Sequence, residues 1–291
     1  MWQDKKIIFN KRKAQLPIAE FNDDVFTIYY TSRNEYNQNI GYKAKFSKTF
    51  ELLEDKLILE PGKPGSCDAA GVMPTAIWGN RLYYIGWTLR KDVPYYNYTC
   101  VAEKHDDKYV KLGPVLHADT HHNGYTGTLE LLHTHHTKFG YFLNCIDWLP
   151  DENNDLQPSY NIGLAVTRDG LHFDKMTSPA IELEGEEAGI SAATVVEYNK
   201  MYHMWFSTRH AKEFRTNPDK AYKIKHATSK DGWHWTRDNK FGIIPEYEYE
   251  SIMCAYPSVL KINDKLYMFY NGNGFGETGI ALTTMEIKNL C

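Results

Sequence analysis

Ala192-Ala-Thr-Val-Val-Glu-Tyr-Asn-Lys-Met-Tyr-His-Met-Trp-Phe206 is the stretch that decides the architecture. It opens with small and β-branched residues, turns at Asn199-Lys200, and returns as a strand dense in aromatic rings, the pattern of an antiparallel hairpin. The pairing recurs four more times. The inner segments are Leu16-Pro-Ile-Ala19, Met73-Pro-Thr-Ala-Ile77, Gly127-Thr-Leu-Glu-Leu131 and Tyr256-Pro-Ser-Val-Leu260. The aromatic ones are Phe26-Thr-Ile-Tyr-Tyr30, Leu82-Tyr-Tyr-Ile-Gly-Trp87, Lys138-Phe-Gly-Tyr-Phe-Leu143 and Leu266-Tyr-Met-Phe-Tyr270. With Tyr30, Ile85, Leu143, Phe206 and Tyr270 as equivalents, the spacings are 55, 58, 63 and 64 residues. A repeat of that size built from short strands implies a radial or stacked array. Four short strands with their turns fill one propeller blade.

Each unit continues into a third strand: Asn39-Ile-Gly-Tyr, Asn97-Tyr-Thr-Cys, Tyr160-Asn-Ile-Gly, Tyr222-Lys-Ile-Lys and Thr278-Gly-Ile-Ala. Two of these run into matched turns, Thr167-Arg-Asp-Gly-Leu-His-Phe173 and Ser229-Lys-Asp-Gly-Trp-His-Trp235, where Asp-Gly reverses the chain. Outer strands are expected near Leu57–Leu59, Val110–Leu116, Ile181–Leu183 and Gly242–Ile244. The fifth unit runs out of chain, so its outer strand is expected from Lys5–Phe9, closing the ring. The fold expected is all-β: a single five-bladed β-propeller over residues 1–291, with four-stranded blades.

The bulk figures fit that expectation. Of 291 residues, 42% are hydrophobic, enough for a core, and 14% are aromatic, including 21 Tyr and 7 Trp. Net charge is −4 with dispersed Lys and Arg, which excludes the basic stripe of a nucleic-acid binder. No apolar run reaches the length of a membrane span, and the first residues lack the apolar stretch of a secretion signal. The five Cys are scattered without a CxxC pair, so a reduced, cytoplasmic setting is expected.

The Asp-Gly-x-x-Trp turn, the Pro-Ser-Val inner strand and the Tyr-Met-Phe-Tyr strand together resemble the five-bladed β-propeller glycoside hydrolases. These include the arabinanases and β-xylosidases of family 43, the β-fructosidases and the mannoside phosphorylases. The resemblance implies a propeller fold and carbohydrate chemistry. In family 43 a general-base Asp precedes the Pro of the first inner strand, and here that position is Leu16. The same slot holds Met73, Gly127, Ala192 and Tyr256 in later units. The family's acid Glu corresponds most nearly to Glu130. The resemblance is thus to a divergent branch without the usual catalytic Asp, of a kind found in surface-polysaccharide pathways.

Chemistry in such a ring belongs at the funnel mouth, where loops lead into the inner strands. Six residues before the Pro-equivalent position stand Lys11, Asp68, His122, Glu187 and Ser251, with Glu250 beside the last. This register places Asp68, Glu187 and Glu250 in one shared pocket as candidate acid, base and nucleophile, since glycoside hydrolysis needs two carboxylates across the sugar. Loop carboxylates that cap turns would show the same spacing. Candidate substrate contacts are Lys11, Gln15, Trp87, His122, Tyr125, Thr126, Cys254, Tyr256, Asn271 and Asn273. Arg209 and Arg215 join them as a two-pronged clamp for an anionic group. Cys254 has no partnered base and reads better as a structural thiol. The His117–His136 cluster lacks a zinc motif; only His122 falls on the ring register, where it would either ligate an axial ion or hydrogen-bond a substrate hydroxyl.

The function expected is a glycoside hydrolase-like enzyme acting on a glycosidic or glycosyl-phosphate bond of a small, anionic or nucleotide-linked sugar. No cofactor, nucleic acid or membrane is called for. The alternatives are a cyclase, isomerase or transferase of polysaccharide biosynthesis, and a sugar-binding propeller without catalysis.

Overall fold

The computed structural model describes residues 1–118, 124–134 and 137–290. Apart from short helical turns, the regular structure of the described residues is all β-strand, joined by turns and loops. Strand β1 (Gln3–Phe9) precedes a first group of β2 (Gln15–Asn22), β3 (Val25–Arg33), β4 (Asn39–Phe46) and β5 (Leu52–Leu59). A second comprises β6 (Gly71–Trp78), β7 (Arg81–Leu89), β8 (Tyr95–His105) and β9 (Lys108–Leu116). The third holds β10 (Thr126–His133), β11 (Lys138–Pro150), β12 (Leu156–Thr167) and β13 (Phe173–Lys175). The fourth holds β14 (Glu187–Tyr198), β15 (Met201–His210), β16 (Lys223–Ser229) and β17 (Thr236–Arg237). The last contains β18 (Ala255–Ile262), β19 (Lys265–Asn271) and β20 (Ile280–Glu286), and β1 pairs antiparallel with β20 to complete it. Each group is an antiparallel meander. Among the described residues no helix is long and apolar enough to cross a membrane.

The expected outer strands of the third and fourth groups need correction. Pairing begins sooner after the Asp-Gly turn, at β13 and β17. It then resumes as isolated contacts, an Ile162–Ile181 bridge and an Ile243 N–H bond to Ile224 O. These outer edges are split in two.

The innermost strands β2, β6, β10, β14 and β18 pack on one another in cyclic order. They do not form ladders with each other, so side chains bridge the gap. Ser258 Oγ accepts from Ala19 N at 3.0 Å, Thr194 Oγ1 from Val259 N at 3.1 Å, and Thr75 Oγ1 from Leu129 N at 2.9 Å. Glu130 does the same with its carboxylate, accepting from Val195 N at 2.9 Å. Burial pushes its pKa up to about 8, against the pull of that backbone hydrogen bond. These bonds satisfy backbone donors that have no strand partner.

The two Asp-Gly turns also join neighbouring groups. Asp169 and Asp231 each accept two backbone N–H bonds of their own turn and one from a His ring. Gly170 and Gly232 have φ of 73° and 76°, which glycine adopts without strain. Their carbonyls accept from Tyr83 and Tyr141 of the preceding group, at 2.9 and 2.6 Å. The turn thus latches one group onto the next, beyond the expected packing within its own.

Candidate functional site

The cleft lies at the end of the molecule where the inner strands begin. Its volume is about 820 Å³. Inner strands supply its floor: Gln15, Leu16, Met73, Thr128, Ser191 and Tyr256. Walls come from the β3–β4, β7–β8, β11–β12 and β15–β16 connections and the strand ends beside them. A meander dictates this, because both ends of the second-to-third strand connection lie beside the start of the first strand.

Floor geometry follows from bulges. Register slips between Gln15 and Ile18, Ser191 and Thr194, and Ala255 and Ser258. At each slip one non-glycine residue takes a left-handed backbone: Leu16 (φ 52°), Ala192 (φ 53°) and Tyr256 (φ 59°). Such residues cost about 1–3 kcal/mol each and gather at functional positions. Their amides are held by Asn271 Oδ1 (2.8 Å), Thr128 Oγ1 (3.2 Å) and Ser207 Oγ (2.7 Å). Leu16 therefore occupies a shaped, strained slot at the bottom of the funnel and fills it with an apolar side chain.

One wall is aromatic and cationic. Arg209 is 2% exposed. Its Nε donates to Tyr160 Oη at 3.1 Å, Nη1 to His210 O at 2.8 Å, and Nη2 to Pro158 O at 2.5 Å. The guanidinium carbon lies 5.0 Å from the Tyr160 ring centre and 4.4 Å from that of Phe214. Burial works against its charge, but the Tyr160 and Tyr222 phenols outweigh it and raise its pKa. Tyr160 and Tyr222 share a 2.5 Å hydrogen bond. Arg215 also lies over the Phe214 ring at 4.2 Å and reaches Gln157 at 3.4 Å. Arg33 and Lys13 add two more cations, and among the described residues no carboxylate lines the cleft.

The three acids expected to face one pocket are elsewhere, which corrects that expectation. Asp68 pairs with Lys111 of β9 and accepts from Tyr84 Oη at 3.3 Å. Glu187 takes Arg237 of β17 at 2.6 Å and Lys225 of β16 at 2.9 Å. Burial would raise its pKa, yet the bonds from Arg237 and Lys225 carry it down to about 2. Glu250 accepts from Lys5 of β1 at 3.0 Å, Tyr270 Oη at 2.6 Å and Glu246 N at 2.8 Å. The register is real but structural: in three groups an acid before the inner strand is pinned to a cation on the outer strand. The first group carries the same clamp with charges exchanged, Arg12 against Asp55 at 3.1 Å.

Of the expected contacts, Gln15, Trp87, Tyr125, Arg209, Arg215 and Tyr256 line the cleft. Others do not. Lys11 is exposed on the loop before β2. Thr126 donates to Leu116 O and accepts from Thr99 N. Cys254 is buried with its thiol 3.7 Å from Glu250 Oε2, and burial and that carboxylate push its pKa up, against nucleophilic use. Asn271 is spent on Leu16 N, Ala14 O and Gly279 O. Asn273 holds Ile252 N, Met253 N and Glu248 O. His122 lies outside the described residues. Sequence reasoning missed Asn39, Tyr95, Asn97, Tyr160 and Tyr222 as wall residues. Their signal was present, since Asn39, Asn97, Tyr160 and Tyr222 each open a third-strand segment as read from the sequence.

These features define a protein of the β-propeller architecture found in glycoside hydrolases. No family model matches the chain. It is 29% identical to an uncharacterised protein of Mycobacterium tuberculosis strain H37Rv, over 96% of this chain and 94% of that one. Over 105 residues, 33% of this chain and 34% of the relative, it is 35% identical to a β-1,2-mannobiose phosphorylase of a Thermoanaerobacter species. Among solved structures it is similar to a glycoside hydrolase (TM-score 0.73, 15% identity, 94% of this chain and 88% of that chain). It is also similar to a thermostable family-43 glycoside hydrolase (TM-score 0.62, 13% identity, 93% and 88%).

Proposed function

We propose that this chain is a carbohydrate-active, five-bladed propeller, closed into a ring by β1 on β20, whose axial cleft binds a small sugar bearing a phosphate or carboxylate. The carrying observation is the charge of the cleft: four cationic side chains line it and no carboxylate does, among the described residues. Arg209 is buried on carbonyls, phenols and ring faces without an acid partner, an arrangement that an incoming anion relieves. Among the described residues of the cleft, two-carboxylate hydrolysis has none to run on, and Leu16 fills the slot where the resemblance expects the base.

A second reading, phosphorolysis, is favoured by the partial match to the mannobiose phosphorylase. Hydrogen phosphate held by the cations would attack the anomeric carbon as the glycosidic C–O bond breaks. The proton that the phosphate brings would go to the leaving oxygen. That route needs cations at the nucleophile and no protein base.

The test is calorimetric binding of α-mannose 1-phosphate, α-glucose 1-phosphate, glucuronic acid and the neutral hexoses. Phosphate-dependent cleavage of β-1,2-mannobiose is run beside it. Anionic sugars should bind and Arg215→Ala should weaken them about ten-fold, the scale of a lost charge-assisted hydrogen bond. Neutral sugars binding as well as anionic ones would defeat the reading.

A further inference from the structure

Register places four residues in one row across the first two groups. Asn39 of β4 bridges Gly71 of β6, Gly71 faces Trp87 of β7, and Trp87 faces Asn97 of β8. Residues directly opposite in a sheet project from the same face. Gly71 interrupts the row without a side chain; a Cβ there would come within 3.0 Å of Asn39 Cβ. Asn39, Trp87 and Asn97 all line the cleft.

Each of the three carries a buried polar atom with no hydrogen-bond partner: Asn39 Oδ1, Trp87 Nε1 and Asn97 Oδ1. Among the described residues the other such atoms belong to Thr31, Arg81, Arg237, Tyr249 and Thr278, none of which lines the cleft. Asn97 is 4% exposed. Native proteins seldom leave such groups unpaired, because each costs about 1–3 kcal/mol. A cluster of three on one wall marks a place where the partner comes from outside the chain.

We infer that the Asn39–Trp87–Asn97 row, flanked by Arg33 opposite Asn39, is a subsite that reads the hydroxyls of a sugar ring. Two amides and an indole N–H offer acceptors and donors side by side, and vicinal hydroxyls are both. Arg209 and Arg215 stand on β15 and the connection after it, in the fourth group rather than the first two. The ligand class that fits both features is a glycosyl phosphate, with the ring on the Asn39–Trp87–Asn97 row and the phosphate on the Arg209–Arg215 wall, while Arg33 and Lys13 of the first group add positive charge beside the row. This rests on the anionic-sugar reading above.

Calorimetry with inorganic phosphate, α-mannose 1-phosphate and free mannose, against wild type, Asn97→Leu, Trp87→Phe and Arg215→Ala, separates the two ideas. Asn97→Leu and Trp87→Phe should each weaken mannose 1-phosphate about ten-fold and leave inorganic phosphate unchanged. Arg215→Ala should weaken both. Asn97→Leu should melt at or above the wild-type temperature, because it replaces an unpaired amide with an apolar group of similar size. Unchanged mannose 1-phosphate affinity in both row variants would overturn the subsite while leaving the arginine wall standing. Free mannose bound by wild type and lost in Asn97→Leu, with no affinity for phosphate, would keep the row and sink the anionic reading. Wild type binding none of the three overturns both.

Discussion

Acids and bases meet in the clamps behind the inner strands, whereas in the cleft cations stand among phenols. In the clamps Asp68, Glu187 and Glu250 are each matched to a cation and, for Asp68 and Glu250, to a tyrosine hydroxyl. In the cleft Arg209 is almost as buried but is held by neutral groups alone. The difference separates scaffold from site. A charge neutralised inside the chain has little left to offer a ligand. One stabilised only by dipoles and ring faces keeps an attraction for an outside anion.

The sharpest way to break the comparison is Glu250→Ala. Lys5 is 2% exposed at its side chain and Glu250 is fully buried, so the substitution leaves the ammonium only the Ile244 carbonyl and the more distant, exposed Glu246 carboxylate at 3.6 Å, and leaves Tyr270 and Glu246 N without their acceptor. A loss of about 3–5 kcal/mol is expected on denaturant unfolding. It also loosens β1, which completes the last group through β20. If Glu250 were instead a cleft acid, its removal would leave stability nearly unchanged and abolish turnover.

The clamp explains what was legible in the sequence. The six-residue register was visible because four of the groups, among the described residues, fix their entry with an ion pair to the outer strand. Its meaning was hidden because the partner cations lie far away in the chain: Lys5 is 245 residues from Glu250. An acid recurring before the inner strand, a Tyr at the end of the aromatic strand and a Lys or Arg on the outer strand form one signature. The equivalence of Tyr30 with Ile85 concealed it, because it is Tyr84 whose hydroxyl meets the acid. Hairpins and Asp-Gly turns were readable because their chemistry is local. The cleft wall was half readable: Arg209, Arg215, Trp87 and Tyr125 announced themselves by type. Asn39 and Asn97 became meaningful only once register set them beside Trp87 and left their oxygens unpartnered.

Glu187 tests the same comparison through pH. Its pKa in the fold is about 2, below its ordinary value of 4.5. A depressed carboxylate contributes stability that is complete above the unfolded value and is lost as pH falls through the folded one. The contribution is about 3 kcal/mol, since each ten-fold change in proton affinity is worth about 1.4 kcal/mol. Wild type minus Glu187→Gln should show that gap at pH 7 and lose it between roughly pH 4.5 and 2. A gap that persists at pH 2 would mean the carboxylate acts by shape and not by charge.

The smallest effect belongs to a pair of almost the same length. Lys13 and Glu277 lie 3.2 Å apart, against 3.0 Å for Lys5 and Glu250, but their side chains are 69% and 64% exposed. Water already solvates both charges, so removing one strands nothing, and Lys13→Ala should change stability by less than about 1 kcal/mol. Lys13 is nonetheless a cation on the cleft rim, where its field reaches an approaching anion across about 8–10 Å at moderate salt. Its loss should slow association of a sugar phosphate at low ionic strength, and the difference from wild type should fade as salt is added. Stopped-flow association rates across a salt series measure this. A deficit unchanged at high salt would show Lys13 in direct contact with the ligand, extending the arginine wall to the rim.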